Sequence, residues 1–342
     1  MATIAISHQD QRIRYDAKLR RELGATVLRC LADDAVEDVV LNPDFSLWVK
    51  RMAEGFVRIG QMPPAQAHSA LATVAAWRGT NISHERPVLE TELPLDGSRF
   101  EGIVQPVVRN PVFAIRLRPK RVFPISEYEL SGVLTKKGDP LNRLRGRNSF
   151  LDTVRGMSHA DIIRKAVQER KNLVVVGPTG SGKTTFANAV LATIASVAPN
   201  DRVVSIEDTT ELQCPVSNYV DLRAVGDVTM LDCLRACLRL KPTRIVVGEV
   251  RGAEAHTLLK AWNTGHPGGV ATIHANDALS GLSRLESLVA EATAAPQQRL
   301  IAEAVDLVVF IDEEPDLPAG RKVREVVQVL GYEDGRYIVE SL

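Results

Sequence analysis

Residues 177–184 read Gly-Pro-Thr-Gly-Ser-Gly-Lys-Thr, a full match to Gly-x-x-x-x-Gly-Lys-Ser/Thr. The apolar run Leu173–Val176 precedes the motif and the Ala-rich stretch Thr185–Val197 follows it. Strand, glycine loop and helix in that order predict a phosphate cradle. The glycines let the backbone curl so that successive N–H groups face one anion, and the helix N-terminus adds partial positive charge. Gly177, Pro178, Thr179, Gly180, Ser181, Gly182, Lys183, Thr184 and Thr185 are therefore expected to wrap the phosphates of a nucleotide, ATP being the natural ligand. Lys183 is expected to neutralise the β- and γ-phosphates and Thr184 to offer its hydroxyl to Mg²⁺.

The surrounding pattern fixes the fold class. From Ser158 onward helical and strand-like segments alternate. A capping-box start at Ser158–Asp161 opens a helix to about Arg170, and short apolar runs follow at Val203–Ile206, Ile245–Val247, Val270–Ile273 and Leu307–Ile311. That order predicts a mostly parallel sheet covered by helices, an α/β domain over residues 151–342 that ends in a hairpin of Lys322–Leu330 and Arg336–Val339. The first 120 residues differ. Val36–Asn42, Ser46–Lys50, Gly55–Ile59, Arg99–Val108 and Val112–Arg118 look like strands, and Pro64–Trp77 like a helix, which predicts a smaller α+β domain with an antiparallel sheet. Residues 121–150, with Pro124, Gly132, Gly138 and Pro140, are expected to be a linker. Its basic run (Lys136, Lys137, Arg143, Arg145, Arg147) reads either as a solvated connector or as a surface for anionic lipid or a neighbouring subunit.

Two acid clusters follow the next two strands: Glu207-Asp208-Thr209-Thr210-Glu211 and Gly248-Glu249-Val250-Arg251-Gly252. Ligands of open α/β sheets bind beyond the carboxyl ends of the strands, so both clusters are expected on the edge that carries the P-loop. Hydrolysis needs a carboxylate that holds the metal and another that positions water. Glu249 is the natural choice for the first task, with Asp208 and Thr184 as further metal-side groups, and Glu211 or Glu207 for the second. Arg251 reads as a partner of a nearby acid or as a nucleotide contact.

The segment Gly265–Asn276 is dense in Gly, His and Asn. Strand alternation puts Thr272 and His274 on one face, and His274 near the strand end could donate to a γ-phosphate. His266 and His274 are eight apart with no nearby cysteine, which does not match the usual zinc spacings.

Composition narrows the remaining classes. Lys plus Arg and Asp plus Glu both number 42, so the basic excess of a general nucleic-acid binder is missing and sequence-specific nucleic-acid binding is not expected. No run of 18 apolar residues is present, and Met1–Arg14 is too polar for a secretory leader, so the chain is expected in the cytoplasm. Cys30, Cys214, Cys233 and Cys237 form no Cys-x-x-Cys pair; Cys233 and Cys237, four apart in Leu231–Leu240 where apolar residues fall at helical spacing, read as core thiols.

Taken in order, the Walker A loop at 177–184, the acidic box Ser205–Glu211, the Walker B segment Val247–Arg251 and the histidine box Gly265–Asn276 resemble the traffic ATPases that drive secretion machines. The compact length, the Glu-Asp-Thr-Thr-Glu box and the Tyr332–Leu342 ending look most like the conjugal-transfer branch of type IV secretion, the TrbB-like proteins. The tetracysteine motif of pilus-extension and type II motors is absent. This resemblance implies a RecA-like P-loop ATPase domain behind a nucleotide-covering N-terminal domain. It also implies a homohexameric ring, other secretion components as partners, and peripheral placement at the inner face of the cytoplasmic membrane. It further implies arginines from the N-terminal domain or a neighbour that complete the site, with Arg99 and Arg116 first among Arg99, Arg109, Arg116 and Arg118. A type IV pilus or type II secretion motor is the alternative within the superfamily. A P-loop small-molecule kinase, or a scaffold that uses ATP only for assembly, is the alternative outside it.

Overall fold

The computed structural model describes the backbone of residues 8–119, 121–122, 124–134 and 143–342. Lys136, Lys137, Gly138 and Pro140 lie outside the described residues, as do the side chains of Arg143, Arg145 and Arg147. The chain forms two compact units, Met1–Gly138 with Arg239–Lys241, and Asp139–Leu238 with Pro242–Leu342.

The first unit runs α1 (His8–Ala32), β1 (Val36–Leu41), β2 (Ser46–Arg51), β3 (Gly55–Gln61), α2 (Pro64–Trp77), β4 (Val88–Glu92), β5 (Arg99–Ile103), β6 (Val112–Arg116) and α3 (Ile125–Leu130). Its six strands make an antiparallel sheet in the order β3-β2-β1-β6-β5-β4. Alternate residues of each strand meet the helices. Val39, Leu41, Val49, Phe100, Phe113 and Ile115 share one core with Leu19, Leu23 and Val27 of α1 and Ala70, Leu71 and Val74 of α2. Gly24 interrupts α1 with φ 75°, and the Glu22 carbonyl beside this break accepts the Gln66 amide of α2 at 2.6 Å.

The second unit runs α4 (Arg143–Val154), α5 (His159–Gln168), β7 (Leu173–Gly177), α6 (Lys183–Val197), β8 (Arg202–Glu207), β9 (Asn218–Arg223), α7 (Met230–Arg239), β10 (Arg244–Val247), α8 (Glu254–Asn263), β11 (Val270–His274), α9 (Ala278–Ala290), α10 (Gln298–Ala304), β12 (Leu307–Glu313), β13 (Arg321–Glu333) and β14 (Arg336–Ser341). The sheet order is β14-β13-β12-β7-β11-β10-β8-β9; β12 through β9 are parallel, and β13 and β14 extend the sheet as an antiparallel hairpin. Leu173, Val175, Val246, Val270 and Val309 pack under α4, α5 and α6. On the other face Val176 fits against Gly281 of α9, where a Cβ would stand 2.7 Å from its Cγ1. Both faces being covered, β7 is buried at every residue.

The amino ends of these strands are tied by buried polar groups. The Asn172 amide oxygen accepts the N–H groups of Gly268 and Gly269 at 2.7 and 3.1 Å, and its NH₂ donates to the Ala304 carbonyl at 2.7 Å. Arg244, 1% exposed, pairs with Asp201 at 2.5 Å and donates to the carbonyls of Gly268 and Val167. A structural edge of this kind leaves the opposite, carboxyl edge for the P-loop and the acid clusters.

Several sequence expectations need correction. Arg99–Val108 is not one strand: β5 stops at Ile103, Val104 bonds back to the Pro87 carbonyl, and Pro106 has no N–H for a ladder. The stretch expected as a linker carries α3 and α4, and α4 is held because Phe150 and Val154 enter the core beside α5. The helix α1 and the strands β4 and β9 were not anticipated. Cys30, Cys233 and Cys237 are buried and Cys214 is partly buried, all as free thiols. Among the described residues no helix is long and apolar enough to cross a membrane.

Candidate active site

The P-loop leaves β7 at Gly177 and enters α6 at Lys183. Gly180 and Gly182 have φ of 83° and 93°, the left-handed region that glycine occupies without penalty. Gly177 admits no side chain: a Cβ there would lie 2.2 Å from the Ile311 carbonyl oxygen. The start of α6 has no side-chain cap and no acidic residue in its first turn. Its N–H groups and positive dipole end are thus left to an external anion. Ser181 in the same loop is fully buried, and among the described residues its hydroxyl has no hydrogen-bond partner.

Lys183 is 7% exposed. Its Nζ donates to the carbonyls of Gly177 at 3.0 Å and Pro178 at 2.8 Å and lies 3.3 Å from His274 Nδ1. Burial pushes its pKa below the ordinary lysine value, and the nearby Glu249 carboxylate opposes that shift. His274 ends β11 directly beside Gly177 of β7. Its Nε2 stands 3.2 Å from Glu249 Oε1, so the imidazole spans the lysine and the carboxylate.

Glu249 follows β10. Its Oε2 accepts from Arg251 Nη2 at 2.8 Å, and Arg251 Nη1 reaches Asp208 Oδ2 at 2.5 Å. The Arg251 hydrogen bond is the main reason that the Glu249 carboxyl is held below the usual carboxylate range; the charges of His274 and Lys183 add to it. Thr272, one residue pair back along β11, donates its hydroxyl to the Gly248 carbonyl at 2.6 Å and fixes the turn that presents Glu249. Asn276, grouped with His274 on sequence, uses its N–H to bond Ser280 at the cap of α9.

The two acids weighed for water positioning have different surroundings. Glu207, 5% exposed, ends β8, and its Oε1 accepts the backbone N–H groups of Glu211 at 3.0 Å and Leu212 at 2.9 Å. Burial raises its pKa and those two bonds lower it, with burial the larger effect. Glu211 has an exposed side chain. Its own carbonyl accepts from Asn188 Nδ2 at 3.2 Å, and Asn188 Oδ1 accepts the Gln213 N–H at 2.8 Å. Asn188 belongs to α6, so the P-loop helix grips the segment that bears Glu211.

Two contributors escaped sequence reading, Asn188 and Arg321. The guanidinium of Arg321, at the start of β13, lies over Gly182 and donates to Thr185 Oγ1 at 3.2 Å. Its Nε donates to the Ala319 carbonyl at 3.3 Å; Glu313 faces it across the β12–β13 ladder, and among the described residues no carboxylate lies within ion-pair distance. An unpaired guanidinium at an uncapped helix N-terminus is a ready anion contact. No local pattern could reveal it; the hint was only a basic residue at the start of the expected terminal hairpin.

In the first unit, Arg99 of β5 and Arg116 of β6 stand directly opposite each other in register, both exposed. Like charges in facing positions repel, and an acid stands in register on the outer side of each: Glu92 faces Arg99 and Asp38 faces Arg116.

Residues 153–313 match the family model described as type II/IV secretion system protein. A conjugal transfer protein TrbB of Rhizobium radiobacter is 44% identical over 327 residues, 96% of this chain and 94% of that protein. The type IV secretion system protein VirB11 of Bartonella henselae is 30% identical over 285 residues, 76% of this chain and 78% of that one. Among solved structures, the VirB11 ATPase from the Brucella suis type IV secretion system superposes with a TM-score of 0.80 at 27% identity, covering 93% of this chain and 96% of that one. The fold, the order of the boxes and these similarities agree: the chain belongs to the type IV secretion and conjugal transfer family of TrbB and VirB11.

Proposed function

We propose that this chain hydrolyses ATP to ADP and phosphate, with Mg²⁺, as one subunit of a hexameric ring that powers pilus assembly or substrate translocation in a conjugal-transfer machine. The carrying observation is the continuous polar chain Lys183–His274–Glu249–Arg251–Asp208 beside an uncapped P-loop helix. Lys183 would exchange the carbonyls of Gly177 and Pro178 for β- and γ-phosphate oxygens. His274 would report the γ-phosphate to Glu249. Glu211, with its exposed carboxylate on a braced backbone, would orient the attacking water; Glu207 would hold that backbone in place.

The donors fit Mg²⁺. Thr184 follows Lys183 at the start of α6, and Glu249 and Asp208 share the guanidinium of Arg251, so the group consists of hard oxygen donors that can act alongside phosphate and water. When bound, the ion would draw charge from the β- and γ-oxygens. Arg99 and Arg116 would supply the guanidinium forks that stabilise charge in the transition state. Work requires that ATP and ADP favour different arrangements, since a ligand shifts an equilibrium only through differential affinity. The motor would act at the inner face of the cytoplasmic membrane with other secretion components.

The test is free-phosphate release with Mg-ATP across a dilution series. Activity per chain that rises with concentration and then saturates, in step with ring assembly seen by light scattering, is the expected result. Flat activity at dilutions where the chain is monomeric would remove the ring mechanism, and absence of phosphate release at all concentrations would remove the ATPase reading.

A further inference from the structure

Arg251 is 61% exposed at its side chain, yet both of its terminal nitrogens are committed, one to Asp208 and one to Glu249. Its backbone is anchored independently: the N–H groups of Arg251 and Gly252 both donate to Glu254 Oε1, at 2.7 and 2.9 Å, and Glu254 is buried. The arm can therefore swing while its base stays fixed. Both oxygens of Glu249 already have a partner, Arg251 on Oε2 and His274 facing Oε1. A divalent cation that takes Glu249 and Asp208 as ligands competes with that guanidinium for the same carboxylates. Exposed ion pairs are weak, which makes such an exchange feasible; a buried pair would hold on to its carboxylates.

We propose that Arg251 is a counter-cation built into the metal side of the site: it neutralises Asp208 and Glu249 in the empty subunit, yields them when Mg²⁺ enters with ATP, and returns when the product and metal leave. Arg251 thereby sets the Mg²⁺ concentration that the site requires, and it resets the carboxylates between turnovers. The proposal rests on the Mg-ATP reading given above. It assigns Arg251 a positioning role and no contact with the reacting atoms. The bridge needs a planar fork with two donor edges, so lysine can hold one carboxylate but not both.

The experiment uses the full chain, a fluorescent non-hydrolysable ATP analogue at fixed concentration, and MgCl₂ as titrant. Arg251→Gln is expected to lower the half-saturating Mg²⁺ concentration about three- to tenfold, the scale on which loss of exposed ion pairs acts. Arg251→Lys should fall between the variant and the wild type. Arg235→Gln removes one positive charge from α7 in the same unit, 67% exposed and paired with Asp232, and should leave the requirement unchanged. An unchanged or raised Mg²⁺ requirement in Arg251→Gln overturns the proposal, as does an equal shift in Arg235→Gln. Should Arg251→Gln fail to fold, Arg251→Lys decides by the same criterion, a lowered requirement supporting the exchange and an unchanged one overturning it. If the wild type binds the analogue at no Mg²⁺ concentration, the ATP reading falls and the exchange falls with it; if the wild type binds normally and only the shift is missing, the ATP reading stands alone.

Discussion

The carboxylate of Glu207 accepts the backbone N–H of Glu211 at 3.0 Å, so one acid of the Glu-Asp-Thr-Thr-Glu box positions the other. The two residues look interchangeable as sequence and are separated by burial and by the two backbone N–H groups that Glu207 accepts. Glu207→Ala would leave the N–H groups of Glu211 and Leu212 without their acceptor, at a cost of about 1–3 kcal/mol for the buried Leu212 group and less for the part-buried Glu211 group. Among the described residues the Glu211 side chain makes no hydrogen bond or ion pair that Glu211→Gln would remove. The expected outcome is a lowered melting temperature together with lost phosphate release in Glu207→Ala. In Glu211→Gln the melting temperature should be unchanged, nucleotide binding intact and turnover lower by on the order of a hundredfold or more. Normal turnover in Glu211→Gln would remove Glu211 from the chemistry.

Lys183→Ala deletes the one buried cation that the P-loop folds around. The carbonyls of Gly177 and Pro178 lose a donor, but β7 and α6 keep the apolar packing of Leu173, Val175, Ala187, Val190 and Leu191, so the fold should survive. Phosphate release is expected to drop on the order of a hundredfold or more, because the charge that stabilises the transferred phosphoryl group is gone. Circular dichroism and phosphate release measured on one preparation check both halves. Wild-type turnover in this variant would overturn the P-loop assignment.

Arg321 reaches Thr185 across 136 positions of sequence; Glu313 faces it across the ladder, but among the described residues no carboxylate lies within ion-pair distance of it. A nucleotide phosphate is the partner its position offers. Arg321→Ala is expected to weaken binding of the ATP analogue about tenfold, in the range of a charge-assisted hydrogen bond at a partly exposed site. Arg324→Ala is the comparison: it loosens the same hairpin through its bonds to Glu314 and to the Glu313 carbonyl without removing the guanidinium over Gly182. Equal losses in the two variants would mean that Arg321 acts only through the hairpin.

What could be read from sequence follows from range. The P-loop was legible because each residue type answers a local demand, positive φ at Gly180 and Gly182 or a close carbonyl at Gly177. The parallel strands were legible because burial on both faces writes a continuous apolar run, as in Leu173–Val176. Asn188 and Arg321 were not, since α6 and β13 meet their partners only through the strand order and helix packing. The strands β4 and β9 lie at sheet edges, where polar residues interrupt the pattern in Val88–Glu92 and Asn218–Arg223. In α1 the spacing of Leu19, Leu23, Val27 and Cys30 carried the helical signal, and Gly24 obscured it.

Glu101 supplies a test of stability that is independent of turnover. It sits on β5 between Phe100 and Gly102, 3% exposed, and among the described residues its Oε2 has no hydrogen-bond partner. Burial pushes its carboxyl from 4.5 up to about 8; Arg239 works against that shift and Glu90 adds to it. Between those two values the folded chain keeps a proton that the unfolded chain has released. The contribution of Glu101 to stability therefore falls as pH rises from about 4.5 to about 8, by up to about 1.4 kcal/mol per pH unit, and levels off above that. Glu101→Gln cannot ionise and keeps the shape. Melting curves between pH 5 and 9 should show the wild type losing more stability than Glu101→Gln across pH 5–8, with the variant the more stable of the two at pH 8. Parallel curves for the two proteins would mean that Glu101 ionises in the folded chain as readily as in the unfolded one, and that its buried position is solvated by water or by a partner group.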